Sequence, residues 1–235
     1  MDKRDRELTL KKFIAKDMRL LFLLVIFSFH NANAQGFSAN AGIGLEYFNS
    51  PSLSQYLNYA SPGSTTPGAY MSAVQFVVGG EYPITSNWSL GLEYGYITKS
   101  VSNNSSPGSQ QIDFSYSLPS LTLRKLIAGE GYYLKFGGGI GYHFATLTRS
   151  DPFSGQSLEY SAHGLGLKID ALLDTKLGDR LYARVNAEAR AEFTGDLKSS
   201  NGSQLTYIDY NTTESRPVDM YLSGVGIAFG LVYYF

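Results

Sequence analysis

From residue 37 onward, apolar and polar positions alternate. Between Leu181 and Phe193 the odd positions are Leu181, Ala183, Val185, Ala187, Ala189, Ala191 and Phe193. The even positions are Tyr182, Arg184, Asn186, Glu188, Arg190 and Glu192. Successive side chains of a strand point to opposite faces, so this segment has one apolar and one polar face. A period of 3.6 would spread the charges around a helix. Alanine prefers helix, but propensity is a weak prior beside so regular a pattern.

The pattern recurs along the chain. Phe37, Ala39, Ala41, Ile43, Leu45 and Tyr47 share a face, as do Tyr70, Val74, Phe76, Val78 and Tyr82, opposite Gln75 and Glu81. Trp88, Leu90, Leu92, Tyr94 and Tyr96 oppose Glu93 and two glycines. Tyr132, Leu134, Phe136, Ile140, Tyr142 and Phe144 oppose Lys135, His143 and three more glycines. Leu165, Leu167, Ile169, Ala171 and Leu173 oppose Lys168, Asp170 and Asp174. Tyr221, Val225, Ile227, Phe229, Leu231, Tyr233 and Phe235 oppose Gly224, Gly226, Ala228 and Gly230. One segment changes phase: Ile112, Phe114, Tyr116 and Leu118 keep one parity, Leu121 and Leu123 the other. A bulge at Pro119, which cannot donate to a ladder, is the expected cause.

About eight strands result, each near the ~10 residues that cross a bilayer obliquely. Connections 83–87, 127–131 and 176–180 are short. Connections 48–69, 99–111, 148–159 and 195–218 are long and rich in Ser, Asn, Gly and Pro. Short periplasmic turns and long outer loops mark outer-membrane barrels. The expectation is therefore an all-β, eight-stranded antiparallel up-and-down transmembrane β-barrel over residues 35–235. Both mature ends would lie on the periplasmic side. Aromatic residues sort into two girdles: Phe37, Tyr82, Trp88, Tyr132, Tyr233 and Phe235 at the turn ends; Tyr47, Tyr70, Tyr94, Tyr96, Tyr142, Phe144, Phe193 and Tyr221 toward the loop ends. A soluble sandwich would need large apolar residues on its inner face. Here the candidate inner face is glycine and charge, from which no core forms.

Composition agrees once order is considered. A mean hydropathy of −0.12 reads as soluble, but a barrel that alternates lipid-facing and lumen-facing residues averages low as well. The N-terminus is an address. Arg19 precedes LLFLLVIFSF (residues 20–29), and Ala32-Asn33-Ala34 follows as a cleavage signal before Gln35. Residues 1–34 are read as a signal peptide. Residues 1–17 are an extended n-region or a mis-assigned start, because Met18 opens a more compact version. Residues 35–235 carry 12 basic and 16 acidic side chains, with no basic tract to suit nucleic acid. The absence of cysteine excludes disulfides, thiolate metal sites and a cysteine nucleophile.

This pattern, and the ending GIAFGLVYYF, resemble the eight-stranded barrels of the outer-membrane protein A and X type. The resemblance covers roughly residues 36–235. It implies that the last strand, with Tyr233 and Phe235, is shown to the barrel assembly machinery. No residue follows Phe235, so the periplasmic peptidoglycan-binding domain of the larger relatives is not expected.

Candidate chemistry is sparse. The inner face holds Glu46, Glu81, Glu93, Asp170, Glu188 and Glu192 beside Arg124, Lys135, Lys168, Arg184 and Arg190. An enzyme would use a carboxylate pair there for acid–base work. A ring this narrow is filled by its own side chains, and charges removed from water need partners, so an internal salt-bridge plug is the reading. The glycines of that face would leave room for water if the plug were incomplete. His143 is expected to hydrogen-bond within this network, and no metal-ligand cluster or cofactor site is evident. Glu159, Ser161 and His163 share an outward parity near the outer leaflet. Some eight-stranded lipid A deacylases carry a lipid-facing serine and histidine, but their motif places His before Ser, and here the order is reversed. Tyr56, Tyr59, Phe153, Tyr207 and Tyr210 sit in the long loops, where a protein or surface ligand would be met. The leading expectation is a non-enzymatic structural or interaction barrel in contact with outer-membrane lipid. A narrow solute channel is its first rival and a lipid-modifying enzyme its second. The sequence does not indicate an oligomeric state.

Overall fold

The computed structural model describes residues 36–60, 70–103, 110–150, 157–209 and 212–235. The predicted export segment lies outside them. Eight long strands form the wall: β1 (Ser38–Asn49), β2 (Tyr70–Thr85), β3 (Trp88–Asn103), β4 (Gln110–Gly129), β5 (Tyr132–Ser150), β6 (Ser157–Lys176), β7 (Leu181–Thr194) and β11 (Leu222–Tyr234). One helix, α1 (Pro51–Ala60), and three short strands, β8 (Lys198–Ser199), β9 (Thr206–Ile208) and β10 (Ser215–Pro217), occupy the loops. Strands β1 to β7 each pair antiparallel with the next in the chain, β7 pairs with β11, and β11 with β1. Ser38 faces Tyr234 across that last ladder, so both ends of the wall reach the same rim. The wall is a closed eight-stranded up-and-down transmembrane β-barrel, as the alternation predicts.

Burial follows the inverted pattern. Leu45, Leu92 and Ile169 are 61%, 66% and 69% exposed, whereas Glu46 and Gln75 are 0% exposed. The wall is a band of Leu, Ile, Val, Phe and Tyr fit to meet lipid tails, with its polar groups inside.

The expected bulge at Pro119 is absent. The β3–β4 register runs unbroken from Trp88↔Lys125 through Tyr94↔Pro119 to Asn103↔Gln110, and β4 keeps one register with β5 on both sides of Pro119. Ile112, Phe114, Tyr116 and Leu118 are buried inside, while Leu121 and Leu123 are exposed outside. Hydrophobicity changes faces although the strand does not slip. β4 and β6 have 20 residues each, about twice what a bilayer crossing needs. Beyond the lipid band the strands obey the rule of a water-soluble sheet, with apolar residues inside and polar ones outside. The register shift that does occur lies between Pro83 and Thr85, beside the first short turn.

A second core therefore caps the loop end. Phe48, Ile97, Phe114, Leu147 and Leu222 of the wall meet Leu53, Tyr56 and Leu57 of α1, and Leu197, Leu205, Tyr207, Val218 and Met220 of the segment between β7 and β11. α1 lies where the alternation predicts only loop. It has its own signals: Pro51 at a position where its missing N–H costs nothing, and apolar residues at the 3–4 spacing of a helical stripe. Ser52 Oγ donates to Asp219 at 2.8 Å, Tyr207 OH to Gln55, and Tyr116 OH to the Met220 carbonyl at 3.1 Å.

The closing seam is different again. Gly42 faces Gly230, Gly44 faces Ala228, and Glu46 faces Gly226. A Cβ on Gly44 would lie 2.4 Å from the Ile227 carbonyl oxygen, and one on Gly230 2.3 Å from that of Ala41. The first and last strands meet with almost nothing projecting inward.

Candidate functional site: the barrel interior

Below the apolar cap the interior is ionic. Arg124 of β4, 1% exposed, donates through Nη1 to Glu81 of β2 at 2.9 Å, through Nη2 to Glu93 of β3 at 2.8 Å, and through Nη2 to Asp170 of β6 at 2.6 Å. Lys135 lies 2.5 Å from Glu81 and 3.2 Å from Asp174. Arg184 clamps Asp174 through Nε at 2.6 Å and Nη2 at 2.8 Å, and reaches Glu81 at 3.1 Å. Lys168 bonds Glu93 and lies 3.4 Å from Glu188. Arg190 bonds Glu188 and lies 3.2 Å from Glu46 and 3.8 Å from Glu192. Gln75 donates to Glu188 at 2.6 Å.

All eleven charged residues predicted for the inner face are buried, and each has an opposite charge within ion-pair distance. Asp174 joins them with two cationic partners. Its parity already placed it on the inner face. A small cavity of about 20 Å³ beside Asn40, Glu93, Arg184 and Asn186 is the size of a single water.

A chain of three side chains links the ionic zone to the cap. Ser120 Oγ lies 3.1 Å from His143 Nε2, and His143 Nδ1 bonds Glu192. The imidazole lies over two glycines: a Cβ on Gly166 would come within 1.9 Å of Nδ1, and one on Gly141 within 2.4 Å of Nε2. The connectivity is that of an acyl-transfer relay, but the serine is 8% exposed and its hydroxyl also faces the Leu118 carbonyl at 3.3 Å. At the opposite rim Tyr133, Tyr182 and Tyr234 pack with ring centroids 4.9–5.4 Å apart, and Tyr234 OH donates to Asp174 at 2.8 Å.

Solved barrels share this architecture. The outer membrane protein OprG from Pseudomonas aeruginosa superposes with a TM-score of 0.53 at 16% identity, covering 86% of this chain and 96% of that one. Ail, the attachment invasion locus protein of Yersinia pestis, in complex with the heparin analogue sucrose octasulfate, gives 0.51 at 13% identity, with 86% and 99% covered. Neisserial surface protein A gives 0.51 at 9%, with 85% and 97% covered. The fold is that of the small outer-membrane barrels. No protein-family model matches the chain, and no curated protein matches it by sequence.

On the outside of this outer-membrane-type barrel, Glu159, Ser161 and His163 face outward from β6, all exposed. Among the described residues no hydrogen bond joins them. His163 instead lies against the Tyr142 ring at 5.6 Å. Tyr56 and Tyr207 belong to the apolar cap and Tyr59 packs against it. Burial pushes the Tyr56 hydroxyl above its ordinary pKa, against the pull of nearby Arg149. Phe153, Tyr210 and the Tyr70 side chain lie outside the described residues. Tyr233 and Phe235 are exposed at 41% and 58%.

Proposed function

We propose that this chain is an outer-membrane barrel of a Gram-negative-type bacterium, exported by a signal peptide cut after Ala34, with a sealed lumen and a structural or interaction role. On this reading Tyr233 and Phe235 present the last strand to the assembly machinery. The observation that carries the proposal is the stacking of three different fillings along one axis. An apolar cap lies at the loop end, an ion-pair lattice in the middle and a tyrosine trio at the turn end. A conduit would need a wet path through all three. An enzyme would need open space at a nucleophile, whereas Ser120 is buried and Ser161 makes no bond to His163.

The outward surface and loops then carry the function. The sulfated ligand seen with Ail does not transfer readily. The described loop-end side chains include Asp113, Glu159, Asp196, Asp209, Glu214 and Asp219 against Lys99, Arg149, Lys198 and Arg216. An acid-rich rim disfavours a polyanion.

The test is to isolate the protein from outer membranes, weigh it, and record it in planar bilayers. A mass beginning at Gln35 and no steady conductance are expected. A stable open level in the unmutated protein would overturn the sealed lumen and favour the narrow channel. A chain retaining residues 18–34 in that membrane would overturn the export reading.

A further inference from the structure

The strands that overrun the lipid band leave a tall wall outside the cap, and the outward side chains on it are graded. Lowest are rings: Tyr96 of β3, Phe144 of β5 and His163 of β6 fall in one lateral row, joined by the registers Tyr96↔Ser117, Ser117↔Phe144 and Phe144↔His163. One step up the row is hydroxyl on four consecutive strands, Thr98↔Ser115↔Thr146↔Ser161. One step higher it becomes partly acidic, with Asp113↔Thr148↔Glu159. All ten side chains just named are partly or fully exposed. Lys198, paired with Ser161, is the one cation on these rows of described residues.

We infer that this wall is a saccharide-contact surface that seats the neutral sugars of outer-leaflet glycolipid headgroups. The inference rests on the outer-membrane reading above. The occupant follows from position and chemistry. The wall continues the lipid-facing band on the same strands, so the layer beside it is the one directly above the acyl chains. Neighbouring strands are about 4.8 Å apart and same-face residues about 6.6 Å apart along a strand. The surface is thus a flat lattice of small donors and acceptors at the spacing of hydroxyls on linked sugar rings. Hydroxyls give and accept hydrogen bonds alike, carboxylates accept from sugar hydroxyls, and the rings below offer flat apolar faces to sugar C–H groups. The shortage of cations argues against phosphate or sulfate as the recognised group. Glu159, Ser161 and His163 each stand in one of the three rows, which gives their shared parity a use without a nucleophile.

The test compares the full mature chain with the variant Ser115→Ala/Thr146→Val/Ser161→Ala, which removes hydroxyls and keeps shape. Both are folded into phospholipid vesicles with and without lipopolysaccharide, and into vesicles with lipid A that lacks core sugars. Lipopolysaccharide should raise the thermal midpoint of the unmutated barrel by mass action. Its apparent affinity should fall about tenfold or more in the variant, the loss expected of a few hydrogen bonds. Lipid A alone, and free core oligosaccharide at matched sugar concentration, should stabilise far less. Equal stabilisation of both chains, or full stabilisation by lipid A alone, would overturn the inference. Full stabilisation by the free oligosaccharide would overturn the lipid-bound source. In each of these cases the barrel has still inserted. A chain that enters no vesicle would instead defeat the outer-membrane reading, and this one with it.

Discussion

Arg124 meets carboxylates from three other strands, and none of them has an easy substitute. Taking a guanidinium from water is costly unless its partners are in place, and removing one member of such a set leaves the others uncompensated. Arg124→Ala should therefore lower unfolding stability by about 3–5 kcal/mol, measured by urea titration in detergent or vesicles. The lipid-facing Ala187→Leu should change it by less than about 0.5 kcal/mol. A near-neutral Arg124→Ala would mean that water already solvates the lattice. Parity alone made these charges legible, because a period of two decides which face each residue takes. It did not reveal who meets whom. Ser120, His143 and Glu192 lie on three different strands, and only the closed barrel brings them together. The glycines that admit the imidazole read, in the sequence, merely as small inner residues.

At the level of elements, the phase change at Pro119 teaches the most. The sequence shows a real reversal there, but a strand slip and a change of solvent look alike in one dimension. Alternation reports which face is apolar, not whether lipid or water lies outside. Strand lengths in the structure separate the two, since β4 runs on in register past the lipid band. The helix α1 was missed for a related reason. Its ten residues sit in a stretch dominated by Ser, Asn and Pro, and its apolar stripe has meaning only against the cap it covers. Leu57 is 1% exposed within that cap. Leu57→Ala should cost about 2–5 kcal/mol of cap packing. Limited proteolysis should then cut the segment after β1 faster, while the heat-modifiable mobility of the barrel stays unchanged. Loss of both together would show that cap and wall fold as one unit.

For the whole molecule, the wall's outer face and its filling follow different rules, and the last strand serves both. Phe229, Leu231 and Tyr233 face outward from β11, while Tyr234 packs inward with Tyr133 and Tyr182. Removing Phe235 alone should leave that inner trio intact and act on assembly. The expected outcome is a lower yield of heat-modifiable barrel in cells at native expression, with refolding from urea into detergent little changed. An equal yield in cells would remove the assembly role from the chain's end.

The glycine-lined seam bears on the order in which such a barrel can form. β1 and β11 are joined across nearly the whole chain, the kind of distant pairing that forms slowly. Between them they contribute a single charged side chain to the ionic interior, Glu46; the other lattice charges stand on β2 to β7. Six strands can thus complete nearly all of the costly electrostatic bookkeeping as an open, curling sheet. The two remaining edges then meet without threading side chains past one another. The seam behaves as a zip with smooth teeth: late to close, undemanding in shape, and so the natural place for the same two edges to part again.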